Sequence, residues 1–405
     1  MRTLTLLLLL PFVLLVSCKK DEPEPQAQQP VNLELPPKAD GVINNSNEFG
    51  LDLFKSVSAV DDENLMLSPL SASTALTMLL NGCGGQSYEQ IHQMLGYEGL
   101  TMGEVNQVYA SLTEQLLSAD PKVELALANA VWYRLGFNVK QPYLDTMSTV
   151  FDSRIEGLDF NSPSALDVMN QWASDNTNGK IPEVLDEISA EAVMFLMNAL
   201  YFKGDWTWQF DPSNTSDSPF TLEDGSTVTV PVMQGELPVK TYYGNNYSAL
   251  EMFYGRQNFS MIMIEPQTTV SEFLDGFDIG AWQELTSSLD AAPVPSKMDL
   301  FIPKFKFEYE KQLNDQLQAL GMTDVFNPLL ANLSGISNAS IYVSFVKQNT
   351  FVEVNEEGTE AAAVTTIGIE YTSINNFALD KPFVFVIRER TTNTILFIGK
   401  VMDPS

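Results

Sequence analysis

One histidine, two cysteines and 22 basic residues in a chain of 405 close off several kinds of chemistry at once. A metal site built on several imidazoles is out of reach when His92 is the only histidine. A serine-histidine-acid triad would have to use that same His92, on the helical stretch "YEQIHQML", and no G-x-S-x-G turn supplies its serine. His92 therefore reads as a surface or satisfied core residue. The glycines of "NGCGG" lack the strand-turn-helix setting and downstream acid of a dinucleotide or phosphate loop. Against the few basic residues stand 52 acidic ones, a net charge of −30 that repels phosphate backbones. Nucleic acid is excluded as a partner, and carboxylate pairs are too common here to argue for glycosidase work. No catalytic residue, metal or cofactor is expected.

What the chain does have is 44% hydrophobic residues, ample for a core. The first residues, "MRTLTLLLLLPFVLLVSC", read as an export signal over residues 1–17, too short for a mature span. Leu15-Val16-Ser17-Cys18 looks like a bacterial lipobox in which Cys18 is acylated, the other reading being an ordinary signal peptide cut elsewhere. Lys19, Lys20, Asp21 and Glu22 resemble a surface-export signal, so the expected place is the outer membrane of a bacterium, facing outward, with lipid as the only membrane contact. With Cys18 acylated, Cys83 has no disulfide partner and reads as a small buried thiol. Residues 18–43 read as a Pro- and Gln-rich flexible tether, and 44–405 as one domain without linker or repeat.

Within that domain Ser68-Pro69 opens a helix that Gly82 closes, and Ser87 with Gln90 reads as a capping box for the next. "VELALANAVWY" and "VMFLMNALYF" are apolar enough for strands in the middle of a sheet. "LEDGSTVTV" reads as a hairpin, as does the "TTN" turn between "FVFVIRER" and "TILFIGKV". Helical patterns at 170–172 and 311–321 fall between strands without regular alternation, which makes the class α+β.

One stretch fits no ordinary element. After alternating Val352 and Val354, "NEEGTEAAAVTTIGIEYTS" shrinks to small side chains beside a good strand. By parity, Thr359, Ala361, Ala363, Thr365, Ile367 and Ile369 share one face of an extended chain, and Glu360 and Glu370 lie on the other. The segment is fit to become a strand, though a small-residue surface loop has the same composition.

Here the chain resembles the serpin family. "VEVNEEGTEAAAVT" is similar to the family's hinge and "MNALYFKGDWTWQF" to one of its central strands. "LSPLSASTALTMLLNG" is similar to its core helix and "LDKPFVFVIRERTTNTILFIGKVMDPS" to its C-terminal strands. The resemblance implies a single domain of three β-sheets surrounded by helices, with an exposed reactive-centre loop, acting as a monomer. It implies a suicide inhibitor of serine, and in some members cysteine, proteases, whose cleaved loop inserts into sheet A with the acyl-enzyme attached. Loop insertion of this kind is a general example of strand addition. Carried over by residue, Glu357, Gly358, Thr359, Glu360, Ala361, Ala362 and Ala363 are the hinge; Ser68, Ser71 and Asn198 the polar cluster below the opening strands; Trp206 the aromatic at the sheet top. Gln348 stands where the family usually has a histidine, which removes a pH-sensitive gate. Counting along the loop places the reactive bond after Tyr371 or after Thr372, with Ser373 next. Those residues suit chymotrypsin-like, subtilisin-like or elastase-like enzymes and not trypsin. The alternative is a non-inhibitory serpin acting as a surface binding protein, which the small hinge residues disfavour.

Overall fold

The computed structural model describes residues 30–292, 295–359 and 376–405. Its first half runs α1 (Ala39–Ser58), β1 (Leu65–Leu67), α2 (Pro69–Leu80), α3 (Gly85–Met94), α4 (Met102–Ser118), β2 (Val123–Arg134), α5 (Gln141–Phe151), β3 (Arg154–Leu158), α6 (Pro163–Asn176) and β4 (Met194–Asp205). It continues with β5 (Ser216–Thr221), β6 (Thr227–Tyr243), β7 (Tyr247–Phe253), β8 (Phe259–Pro266), α7 (Val270–Gly276), α8 (Ile279–Ala291), β9 (Ser296–Pro303), β10 (Phe305–Gln312) and α9 (Asn314–Ala319). The last strands are β11 (Lys347–Val354), β12 (Gly358–Thr359), β13 (Asn376–Ala378), β14 (Phe383–Glu389) and β15 (Thr394–Val401).

Three sheets result, as the resemblance to serpins implies. The first has the order β10-β11-β12-β4-β2-β3. The second runs β1-β15-β14-β8-β7-β6, and the third gathers β5, β9 and β13 around the first part of β6. β6 belongs to both because its residues 227–239 pair with β5 and β9 while its last four pair with β7. Every residue of β14 and β15 is buried, which is why those strands read as apolar runs rather than alternating ones. Arg388, Glu389 and Lys400 are charged exceptions within them; Arg388 is a fully buried cation held at 2.7 Å by Glu251 and at 2.7 Å by Asp290.

α2 is buried all round, Ser71, Ser73, Thr74 and Thr77 included, and lies between β4 of the first sheet and β15 of the second, with Ala75 its only residue that is not buried. Its start is the expected one: Pro69 is the first helical residue, and the Ser68 hydroxyl accepts from Ser71 N at 3.1 Å. The expected hairpins at Asp224-Gly225 and at Thr391-Asn393 are β5–β6 and β14–β15.

Two expectations need correction. Ser87 and Gln90 form no capping box, because α3 begins two residues earlier, after Gly84. Their polar atoms are taken by tertiary partners: the Ser87 hydroxyl accepts from Asn332 N at 3.0 Å, and Gln90 Oε1 accepts from Thr323 N and Asp324 N. The capping box that does form is Thr101 with Glu104 on α4. The end of the expected tether also differs. Val31 exchanges two hydrogen bonds with the Asn258 amide, Glu34 exchanges two with the Gln115 amide, and α1 is already under way at Ala39. Leu33 and Leu35 pack on the core and draw this polar segment down onto the domain.

Candidate functional site

β11 runs up the first sheet, and the chain turns over at Asn355, Glu356 and Glu357 and starts down again as β12. β12 is antiparallel to β11 on one side and antiparallel to β4 on the other, so β11 and β4 run parallel to each other. Among the described residues Gly358 and Thr359 join them: Gly358 lies opposite Asp205, and Thr359 opposite both Gly204 and Val354. Among the described residues β4 and β11 share no ladder of their own. From Met194 to Asn198 every β4 residue is partly exposed, whichever face it points to.

The turn is built from polar groups that meet their partners. The Asn355 side chain accepts from Glu357 N at 3.0 Å and Gly358 N at 3.2 Å, the local habit that makes asparagine a turn residue. Trp206 N donates to Glu357 O at 2.7 Å, and its indole nitrogen donates to Asn355 O at 2.9 Å. Glu356 is buried and receives Lys304 Nζ at 2.8 Å and the Thr215 hydroxyl at 2.6 Å. Burial alone would raise its pKa, but those hydrogen bonds outweigh it and hold the carboxyl below its usual range. Gly358 is required by close approach: a Cβ there would sit 2.1 Å from Gly204 O.

Thr359 turns inward. It is buried, and its hydroxyl lies 2.7 Å from the Tyr254 hydroxyl, while the Tyr254 ring stacks on Trp206 at 4.4 Å. Burial of that phenol, opposed by the Thr359 hydrogen bond, raises its pKa well above that of free tyrosine. The mouth of the sheet thus carries Trp206, Tyr254, Gly358 and Thr359 together.

Halfway down the sheet the expected polar cluster forms two groups. Ser68 N donates to Gln348 Oε1 at 2.9 Å, and Gln348 Nε2 donates back to Ser68 O at 3.0 Å, so the amide uses both of its functions. Ser71 joins this group through its bond to the Ser68 hydroxyl. Asn198 instead donates to Asn129 Oδ1 at 2.7 Å, and Asn129 donates to Phe151 O. Asn198 Oδ1 is buried without a hydrogen-bond partner among the described residues.

The hinge residues Glu360 to Ala363, the bond at Tyr371, Thr372 and Ser373, and Cys18 lie outside the described residues. His92 stacks on Tyr88 at 5.1 Å, away from this site. The Cys83 thiol is partly buried, bonds Leu79 O and is pushed up to about 12 by desolvation. Asn355, Glu356, Tyr254, Lys304 and Thr215 were not legible as site residues. An Asn three places before a Gly is a turn signal for the first, whereas the others are recruited from distant strands and loops.

Among the described residues, Gly358 and Thr359 stand between two parallel strands of a large sheet, antiparallel to both. A family model described as serpin (serine protease inhibitor) matches residues 44–404. Neuroserpin from Homo sapiens is 33% identical over 368 residues, 85% of this chain and 87% of that protein. The leukocyte elastase inhibitor of Xenopus laevis is 33% identical over 374 residues, 88% of this chain and 97% of that one. The crystal structure of the thermophilic serpin tengpin in its native state covers 93% of this chain and 97% of its own, with a TM-score of 0.81 at 29% identity. The chain belongs to the serpin family.

Proposed function

We propose that the protein is a suicide-substrate inhibitor of serine proteases, trapping the acyl-enzyme by inserting its cleaved loop between β11 and β4. The observation that carries this is the turn at 355–357, which has already started an antiparallel strand in the only direction those parallel strands accept. In the trapping reaction the protease serine Oγ adds to the carbonyl of Tyr371 or Thr372. The peptide C–N bond breaks, the freed amine takes the proton, and an ester to the enzyme remains. Water would hydrolyse that ester to a carboxylate and release the enzyme, so inhibition is a race between hydrolysis and insertion.

Continuing the ladder supports the reading further. Six steps beyond Thr359 is Thr365, six back from Gly204 is Asn198, and six back from Val354 is Gln348. These positions share the inward face, so an inserted Thr365 hydroxyl would reach the buried Asn198 Oδ1 that lacks a partner, relieving roughly 1–3 kcal/mol. Ala361 and Ala363 fall on the same face, where bulk would block entry. Incubation with chymotrypsin, subtilisin, elastase and trypsin should give a complex that survives boiling in detergent with one of the first three. The released peptide should begin at Thr372 or Ser373. Cleavage by all four with no such complex would overturn the reading in favour of a non-inhibitory serpin that binds a ligand at a surface.

The protein so proposed is a monomer held to a bacterial outer membrane, facing outward, through lipid on Cys18; the spacing Leu15 to Cys18 supports this. Cys18→Ala should move it from the membrane fraction to the soluble one. A wild-type protein recovered soluble with residue 1 intact would end that part of the proposal.

A further inference from the structure

A cavity of about 330 Å³ opens beside the mouth of the first sheet, where Val123 starts β2 opposite Gly204. Its walls are the segment at Val31 to Leu33, the end of α4 with the turn after it, and the β7–β8 loop at Arg256 and Asn258. Hydrogen bonds hold these walls in place. The Asn258 amide accepts from Val31 N at 3.0 Å and donates to Val31 O at 2.8 Å, and the Gln115 amide is paired in the same way with Glu34. Buried Asp120 spends one carboxylate oxygen on Lys122 N and the other on Arg256 N, which fixes the turn to the loop. The lining is unlike the rest of the chain. Although 52 of the 405 residues are acidic, none of the described residues lining the cavity is acidic, and Arg256 is the one charge among them. Arg256 is exposed, and its guanidinium meets no partner among the described residues; the Asn32 amide, also in the lining, meets none either. Val31, Leu33, Ala119 and Pro121 contribute apolar surface to the same space.

We propose that this cavity binds a small carboxylate with an apolar body. A guanidinium with its donors unspent matches the two oxygens of a carboxylate, and the Asn32 amide can donate to the same group. The apolar walls reject a bare inorganic anion, which would lose water there without replacement. Small-molecule sites run from about 300 to 1,000 Å³, so this one takes a short ligand. The net charge of −30 repels an anion at long range, but salt screens that repulsion beyond about 8 Å, and the unpaired cation decides at contact. A fatty acid and the C-terminal residue of a peptide share this chemistry. A bound ligand bridges Val31 to Leu33 with the loop that carries Tyr254, whose hydroxyl lies 2.7 Å from that of Thr359. It therefore steadies the mouth of the sheet, whether or not the protein traps a protease.

The test is calorimetric titration of the full chain with octanoate, octylamine, inorganic phosphate and the tripeptide Ala-Leu-Leu, its C-terminus free or amidated. Octanoate should bind at one site with a dissociation constant of roughly 0.1–1 mM, within reach of about ten non-hydrogen atoms, whereas octylamine and phosphate should not saturate. At about ten times that constant the melting temperature should rise by about 2 °C. Arg256→Gln should weaken octanoate at least tenfold while the melting temperature of the free protein stays unchanged, and Arg256→Lys should restore part of the loss. Ser118→Trp, which fills the cavity from its lining, should abolish binding. A free-acid tripeptide that binds tighter than octanoate, with its amide inactive, assigns the site to a peptide C-terminus; the reverse order assigns it to a fatty acid, and both support the site. Octanoate and octylamine binding alike, Arg256→Gln binding as wild type, or no saturable octanoate binding would overturn it.

Discussion

Thr359→Arg should turn the inhibitor into a substrate: chymotrypsin cuts the loop at the same bond as in wild type but is released active. Thr359 is buried between Gly204 and Val354, with its hydroxyl on Tyr254. The side chains recorded beside Thr359 are Tyr254 and, stacked on it, Trp206, neither of which can neutralise an arginine, and a buried unpaired guanidinium costs several kcal/mol. The hinge would leave the sheet, and insertion could resume only by forcing the cation in first. A barrier raised by about 3 kcal/mol slows that step roughly 10²-fold, while the ester's reaction with water at the distant bond keeps its rate. Hydrolysis then wins the race. Glu360→Arg is the control, since alternation from the inward Thr359 puts residue 360 on the opposite face. It should still inhibit with near-wild-type stoichiometry, measured by titrating chymotrypsin against each variant. If both variants became substrates, or neither did, the face assignment would be wrong.

The fold was legible where one periodicity dominated. The continuous apolar runs of β2 and β4, the turn residues of the two hairpins and the Ser68-Pro69 helix start are each written in consecutive residues. The inward face of the hinge was legible for the same reason, because alternation needs only the chain itself. What parity cannot say is how far the strand has already formed. The sequence reads as a strand still waiting, whereas Gly358 and Thr359 are in the sheet. That outcome depends on Trp206, Gln209 and Lys304, which reach the turn from about 50 to 150 residues away in sequence. The capping-box error on α3 has the same origin: Asn332, Thr323 and Asp324 compete for Ser87 and Gln90, and nothing near residue 87 announces them.

Cutting the loop after Tyr371 or Thr372 should raise the melting temperature, the reverse of what a nick does to most surface loops. Each residue inserted between β11 and β4 gains about two backbone hydrogen bonds, worth about 1 kcal/mol net each. Ordering that residue's backbone costs about 1–2 kcal/mol, so the ladder alone comes close to balance. The inward side chains decide the sign. Ile367 and Ile369 continue the face of Thr359, opposite Leu196 and Met194 by the register, and burying each contributes about 1.5–3 kcal/mol. Satisfying Asn198 Oδ1 adds roughly 1–3 kcal/mol. A net gain of about 5 kcal/mol corresponds to a rise of about 7 °C for a domain of this size. Calorimetry of the intact and singly cut protein measures it, and Ile367→Ser should reduce the rise while leaving the intact protein's midpoint unchanged. A melting temperature equal to or below that of the intact chain after one cut near Tyr371 would mean that the strand begun at Gly358 does not continue, and trapping by insertion would fail with it.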